Sequence, residues 1–378
     1  MKVRIARETL TNELFKVQGV TNQKSTLLIL NNALLEARDG QLTIHATDLD
    51  VSISTSCPCD VLEEGSVTLQ AKRLFDMVKS LRDSELTLET EANHHTRLKA
   101  GNVNCRFPGT PSSEFPEVPD HSKVQFHAMG TARLLDMIEK TLFSVSTDEG
   151  RPNLNGALLK SSDDKGTLTM VSTDGHRLSR IEMAPAEDAM SGDIPEALSR
   201  GIIIPRKGLT EVKRTLNIEE SELLFGLHGN NIVFKHGPAT ISIRLIDGKF
   251  PDVDKVLPKE TDKKARIPKE DFIHSLKFVS IVAPPRTGNI RVTFEEGQCE
   301  IFTQDAEQGE AKEVVSIDYD GTSVKAGYNY RYLLDVLNVI DGDQITMEII
   351  DTLSPTLIRD ATPRPNCETL FVVMPMRI

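Results

Sequence analysis

The sequence predicts an α+β chain in which one unit is used three times, each third carrying two helices packed on antiparallel sheet. Two observations carry this expectation. Twice in each third, a short alternating run leads into a segment whose apolar residues recur at helical spacing. The order of elements also matches across all three thirds, although few residues are shared between the copies.

The first third opens on Val3-Arg4-Ile5, and Leu10, Leu14 and Val17 form one stripe of a helix over 8–17. A strand over 41–46 follows, then Asp48. Val67-Thr68-Leu69 begins the second half, where Leu74, Met77, Val78 and Leu81 mark a second helix face before a strand over 85–89. The central third repeats this plan from Val124-Gln125-Phe126. Its first helix, over 131–143, carries Leu134, Leu135, Ile138 and Leu142, and its strand over 167–172 precedes Asp174. Ile202-Ile203-Ile204 then leads to a helix with Leu209, Val212 and Leu216, and a strand over 222–226. In the last third, Ala265-Arg266-Ile267 leads to a helix over 269–281 with Phe272, Leu276 and Val279, and Pro268 suits its first turn. A strand over 299–303 precedes Asp305, and a final helix over 328–338 precedes a strand over 344–349. Segments 107–121 and 248–264 are rich in Pro, Asp and Lys and read as linkers. The expected domains are therefore 1–123, 124–252 and 253–378.

Net charge is −12, which alone argues against nucleic-acid binding. Its distribution argues otherwise. Lys72, Arg73, Lys79 and Arg82 against Asp76 give the second helix of the first third a net of +3. Arg206, Lys207, Lys213 and Arg214 against Glu211 give its central counterpart +3 as well. The last copy, with Arg331 against Asp335, is neutral. An acidic body with basic faces on repeated helices fits phosphate contacts. With no Trp and no base-reading motif, such binding is expected to ignore sequence.

Other classes find less support. The five cysteines, Cys57, Cys59, Cys105, Cys299 and Cys367, lack metal-ligand spacing and read as thiols in a reducing compartment. No run is long and apolar enough to span a bilayer, and the N-terminus lacks a signal pattern, so the expected location is cytoplasmic. No nucleotide, cofactor or metalloprotease signature occurs, and neither a cofactor nor a metal is expected. The segment Thr173-Asp174-Gly175-His176-Arg177-Leu178 offers an alternative, a hydrolase using Asp174 and His176. Asp-Gly is equally a tight-turn dipeptide, which would make this a turn at a binding surface.

That same segment, with Ile204-Pro205-Arg206-Lys207-Gly208, Asp247-Gly248-Lys249-Phe250-Pro251-Asp252, Tyr332-Leu333-Leu334-Asp335-Val336-Leu337 and the closing Val372-Val373-Met374-Pro375-Met376-Arg377-Ile378, resembles the bacterial DNA polymerase III beta subunits, the sliding clamps. The resemblance runs along the whole chain. It implies a DNA clamp fold, a non-catalytic role, and a head-to-tail homodimer closing as a ring around double-stranded DNA. It places Lys24, Lys72, Arg73, Lys79, Arg82, Arg206, Lys207, Lys213 and Arg214 toward DNA. It places Arg73, Phe107, Ile281 and Val282 at the dimer interface. It also implies a pocket for peptides of the clamp loader, the replicative polymerase and repair polymerases. That pocket would use Leu154, Thr173, Gly175, His176, Arg177, Leu178, Pro251, Lys255, Val256 and Tyr332, with Val372, Val373, Met374, Pro375, Met376 and Arg377. Lys255 and Pro355 stand where many relatives have Arg and Ser, a difference that bears on partner preference. Pro152 and Asn153 replace a tyrosine pair that some relatives place near DNA.

Overall fold

The computed structural model describes residues 1–21, 26–162, 167–184, 196–218, 222–255, 257–258 and 263–377. Lys24 and Val256 lie outside the described residues. Seven helices occur among those described: α1 (Arg7–Gln18), α2 (Ala71–Lys79), α3 (Thr131–Leu142), α4 (Glu196–Arg200), α5 (Arg206–Thr215), α6 (Lys269–Ser280) and α7 (Tyr330–Leu337). Six of them fall where apolar spacing places them. The exception, α4, spans five residues, too few for a periodic stripe.

The chain forms two compact units. One comprises Met1–Leu134 and Lys207–Leu245; the other comprises the described residues of 135–206 and 246–377. Each holds one eight-stranded antiparallel sheet and one smaller sheet. In the first unit, Ala239–Arg244 pairs with Val51–Pro58, matching Thr240 to Ser54 and Ile243 to Val51. In the second, Arg177–Met183 pairs with Cys367–Val373, matching Arg177 to Val373 and Leu178 to Val372. Both large sheets thus join strands from different thirds of the sequence, a continuity that alternation within each strand does not reveal.

Val103–Phe107 ends the five-stranded sheet of the first unit, and Gly309–Ser316 ends the four-stranded sheet of the second. Val103 and Val314 are among the exposed large apolar side chains.

The stripes bury as expected in α1 (Leu10, Leu14, Val17), α5 (Leu209, Val212) and α6 (Phe272, Leu276, Val279). Full burial of such a side chain contributes about 1.5–3 kcal/mol. In α3 the buried stripe is Leu134, Met137 and Ile138, while Leu135 and Leu142 are only half-buried. Pro268 ends the strand Lys263–Pro268 and is the N-cap of α6, one position before the first turn expected for it. Asn329 caps α7, its side chain accepting from the Arg331 amide at 3.1 Å.

Candidate peptide groove and nucleic-acid face

Asp48, Asp174 and Asp305, aligned by the repeat, each close a turn. The Asp174 Oδ1 accepts from the amides of His176 (2.8 Å) and Arg177 (3.0 Å). The Asp48 Oδ1 accepts from Asp50 (3.1 Å) and Val51 (2.7 Å). The Asp305 Oδ1 accepts from Glu307 (2.8 Å) and Gln308 (3.1 Å). Thr173 and Thr47 brace the first two turns alike, each hydroxyl donating to a carbonyl four residues on and accepting an amide two residues on. Gly175 (φ +90°) and Leu49 (φ +81°) hold the matching left-handed position, which glycine occupies with less strain. The Met374 amide then donates to the His176 carbonyl at 2.9 Å, as Arg244 donates to Asp50 at 2.8 Å.

In the second unit this turn borders a groove of about 380 Å³. Of the residues expected there, Leu154, Thr173, Gly175, Arg177, Leu178, Pro251, Val372 and Met374 line it. Asp252, Val253 and Pro355 complete the wall. Leu154, Leu178, Phe250 and Val372 are buried beneath it in a small apolar cluster. A mostly apolar cleft with a few polar groups suits side chains of an extended segment.

Arg177 is held from every side. Its Nε donates to Asp174 Oδ2 at 3.0 Å, one Nη donates to Asp335, and the other donates to the Phe143 carbonyl at 2.6 Å. The Tyr332 and Phe143 ring centroids lie 4.5 and 5.3 Å from its Cζ. Burial, with Asp174 nearby, pushes the Tyr332 hydroxyl up from its ordinary pKa. Tyr332 thus backs Arg177 beside the groove.

The remaining expected residues are spread around this centre. Val373 is fully buried in the main core of the second unit, because alternation along Cys367–Val373 sends it to the face opposite Val372. It packs the fold and does not line the groove. His176 is exposed and joins the site through its backbone. Lys255 is exposed and paired with Asp252 at 3.0 Å. Pro375 and Met376 are half-buried, with the Met376 amide tied to Gly327 at 2.8 Å, and Arg377 is exposed.

Asp174 gives its oxygens to the backbone amides of His176 and Arg177 and to the Arg177 side chain, the pattern of a turn-building carboxylate.

The two basic helices differ in how much charge they leave exposed. On α2 and just beyond it, Lys72, Arg73, Lys79 and Arg82 are exposed, and none forms an ion pair among the described residues. Of the α5 cations, only Arg206 and Lys213 are exposed. Lys207 is half-buried, donating to the Val20 carbonyl at 2.9 Å and pairing with Asp48. Arg214 donates to the Lys16 carbonyl at 2.6 Å, pairs with Glu211 and lies over the Phe15 ring. Burial raises the Glu211 pKa, with Arg214 opposing that shift. The sequence count of +3 for α5 thus overstates what it offers to phosphates.

Arg73 and Phe107 line a second groove, of about 470 Å³, in the first unit. Leu28, 77% exposed, lies in the same wall and was missed from sequence, although Leu27-Leu28-Ile29-Leu30 is an apolar run. In the second unit Ile281 is 73% exposed, and Phe278, also missed, is 50% exposed. Val282 beside them is half-buried.

Three family models match in order: the DNA polymerase III beta subunit N-terminal domain over 1–119, its central domain over 128–252 and its C-terminal domain over 254–377. The chain belongs to the DNA polymerase III beta subunit family. It is 33% identical over 379 residues to a beta sliding clamp of Pseudomonas putida, covering 100% of both chains. A beta sliding clamp of Caulobacter vibrioides is 32% identical over 382 residues with the same coverage. Among solved structures, a sliding clamp from Bartonella birtlesii bound to griselimycin matches with a TM-score of 0.91 at 29% identity. A clamp from Pseudomonas aeruginosa matches with a TM-score of 0.86 at 32% identity, and each structural match covers 100% of both chains. The antiparallel α+β architecture expected for a beta subunit is the one this chain adopts. No described helix is long and apolar enough to cross a membrane.

Proposed function

We propose that the chain is a non-catalytic, cytoplasmic processivity clamp. Two copies close head to tail as a ring around duplex DNA and tether replicative and repair polymerases and the clamp loader through peptides. The full-length family match carries this reading, and the groove bounded by Leu178, Val372 and Met374 supports its peptide-binding half. Griselimycin, bound by the Bartonella birtlesii relative, is proposed as a ligand of this chain too. The domains are proposed as 1–123, 124–252 and 253–378.

The repeat supports closure. Ala239–Arg244 meets Val51–Pro58, and Cys367–Val373 meets Arg177–Met183, so two strand junctions lie within the chain. By element order the third pair is Val103–Phe107 and Gly309–Ser316, the two edge strands carrying exposed Val103 and Val314. Partners on two copies would satisfy both edges and produce a closing heterologous interface. Arg73 and Phe107 on one copy, with Ile281 and Val282 on the other, would flank that junction.

Exposed Lys72, Arg73, Lys79, Arg82, Arg206 and Lys213 would supply phosphate contacts without reading bases. The test is retention: the protein, loaded by a clamp loader, should remain on nicked circular DNA and run off after the circle is linearised. Equal retention on both forms would overturn the ring reading.

A further inference from the structure

We propose that a square of four charges locks the seam between the central and last thirds, so that the chain flexes instead at the seam between the first and central thirds. Each of the two thirds gives the square one cation and one carboxylate. Lys140 donates to Asp136 at 2.6 Å and to Asp341 at 2.8 Å. Arg364 donates to the other oxygen of Asp136 at 2.6 Å and lies 3.1 Å from Asp341. Opposite charges alternate around the square, so removing either cation takes a partner from both carboxylates. The Lys140 side chain is 4% exposed and that of Asp136 18%, so water and salt screen this inner corner weakly. Arg364 and Asp341 are half-exposed and close the square from outside.

The square stands at one end of a strand seam. Arg177–Met183 and Cys367–Val373 match over seven residue pairs, from Arg177 with Val373 to Met183 with Cys367. Arg364 comes just before Cys367, and beside it the Ala184 amide donates to the Asn366 carbonyl at 2.9 Å. At the other end Arg177 crosses to Asp335, so this seam is pinned at both ends. In the first unit, Val51–Pro58 and Ala239–Arg244 match over four pairs, from Val51 with Ile243 to Ser54 with Thr240. Lys207 crosses to Asp48 at the Val51 end. The repeat does not copy the charges of the square. Aligning Leu10 and Leu14 with Leu134 and Ile138, and Leu209 and Val212 with Leu333 and Val336, puts Asn12 and Asn217 where Asp136 and Asp341 stand. Lys16, in the place of Lys140, pairs with Glu13 of its own helix at 2.8 Å. Ladder length and charge therefore both stiffen the second seam. Strain on the chain, such as opening a ring would impose, falls on the first.

The test is hydrogen–deuterium exchange on the full chain, read by mass spectrometry at both seams. In the native protein, amides of 177–183 and 367–373 should exchange about tenfold more slowly than those of 51–54 and 240–243. Lys140→Met, which keeps bulk and removes the charge, should speed exchange at 177–183 and 367–373 about tenfold, because both carboxylates lose a partner. The strand Asn289–Glu295 of the same unit reports general destabilisation and should keep its rate. Arg364→Gln, at the half-exposed corner, should give a smaller rise confined to the same amides, and it decides the matter where Lys140→Met does not fold. Equal rates at the two native seams would overturn the inference. So would an unchanged rate at 177–183 and 367–373 in Arg364→Gln, or a rise shared equally by 289–295, since the square would then stabilise the fold without setting where it flexes.

Discussion

Arg214 occupies the space that a side chain on Gly19 would need: a Cβ built there would lie 1.3 Å from a guanidinium nitrogen. Gly19 has an ordinary φ of −76°, so its role is this close approach and not backbone freedom. The guanidinium bonds the Lys16 carbonyl near the C-terminal end of α1 and pairs with buried Glu211. Gly19→Ala should displace Arg214, leave Glu211 unpaired and lower stability by about 2 kcal/mol. Urea unfolding checks this, and Gly19→Ala with Arg214→Ala should cost less than the sum of the two single changes.

The cations of α2 and α5 should separate by experiment. Replacing Lys79, Arg82, Arg206 and Lys213 with Ala should flatten the salt dependence of DNA binding, by about 0.9 in slope for each phosphate no longer neutralised. Replacing Lys207 should instead lower the urea midpoint with less effect on the slope, because it is held by Val20 and Asp48. An unchanged slope in the fourfold variant would place DNA on another face.

Neighbouring residues of the last strand should behave oppositely. Met374→Ala should weaken peptide binding about tenfold with little loss of stability, since Met374 lines the groove and is exposed. Val373→Ala should cost about 2 kcal/mol of stability and leave peptide affinity nearly unchanged. Fluorescence anisotropy and chemical unfolding measured on both variants test the pair.

Edge charge should open the assembly. Val103→Lys or Val314→Lys puts an ammonium on an edge strand and should convert the dimer to monomer in sedimentation at micromolar concentration. Persistence of the dimer in both variants would remove these strands from the interface.

His45 gives the fold a pH dependence. Burial lowers its pKa below the ordinary 6.5, with Glu36 opposing the shift. The unfolded chain therefore takes up this proton first, and stability falls as pH drops from about 6.5 toward the folded value. His45→Gln should make the fall in urea midpoint between pH 7 and pH 5.5 shallower than in the native protein.

Periodicity placed six helices because each has a stripe that must be buried, and the repeat aligned Asp48, Asp174 and Asp305, although only Asp174-Gly175 reads as a turn from its adjacent residues. It did not find the partners of Lys207 and Arg214. Asp48 is 159 residues from Lys207, and Lys16 is 198 from Arg214, so a local charge count treats both cations as free. Val373 is buried in the core for a related reason: motif resemblance identifies a segment, while the direction of each side chain depends on strand pleat. Leu28 and Phe278 were visible as apolar residues, but their exposure is a property of packing.

At position 176 the backbone makes the ties seen among the described residues: the amide reaches Asp174, and the carbonyl receives Met374. Position 50 is bonded in the same way, to Asp48 and Arg244, yet carries Asp where the other carries His. The side chain at this rim position is thus a replaceable fitting on a fixed mount. A lineage could retune which partners the groove prefers by single substitutions there, without renegotiating the architecture that holds it.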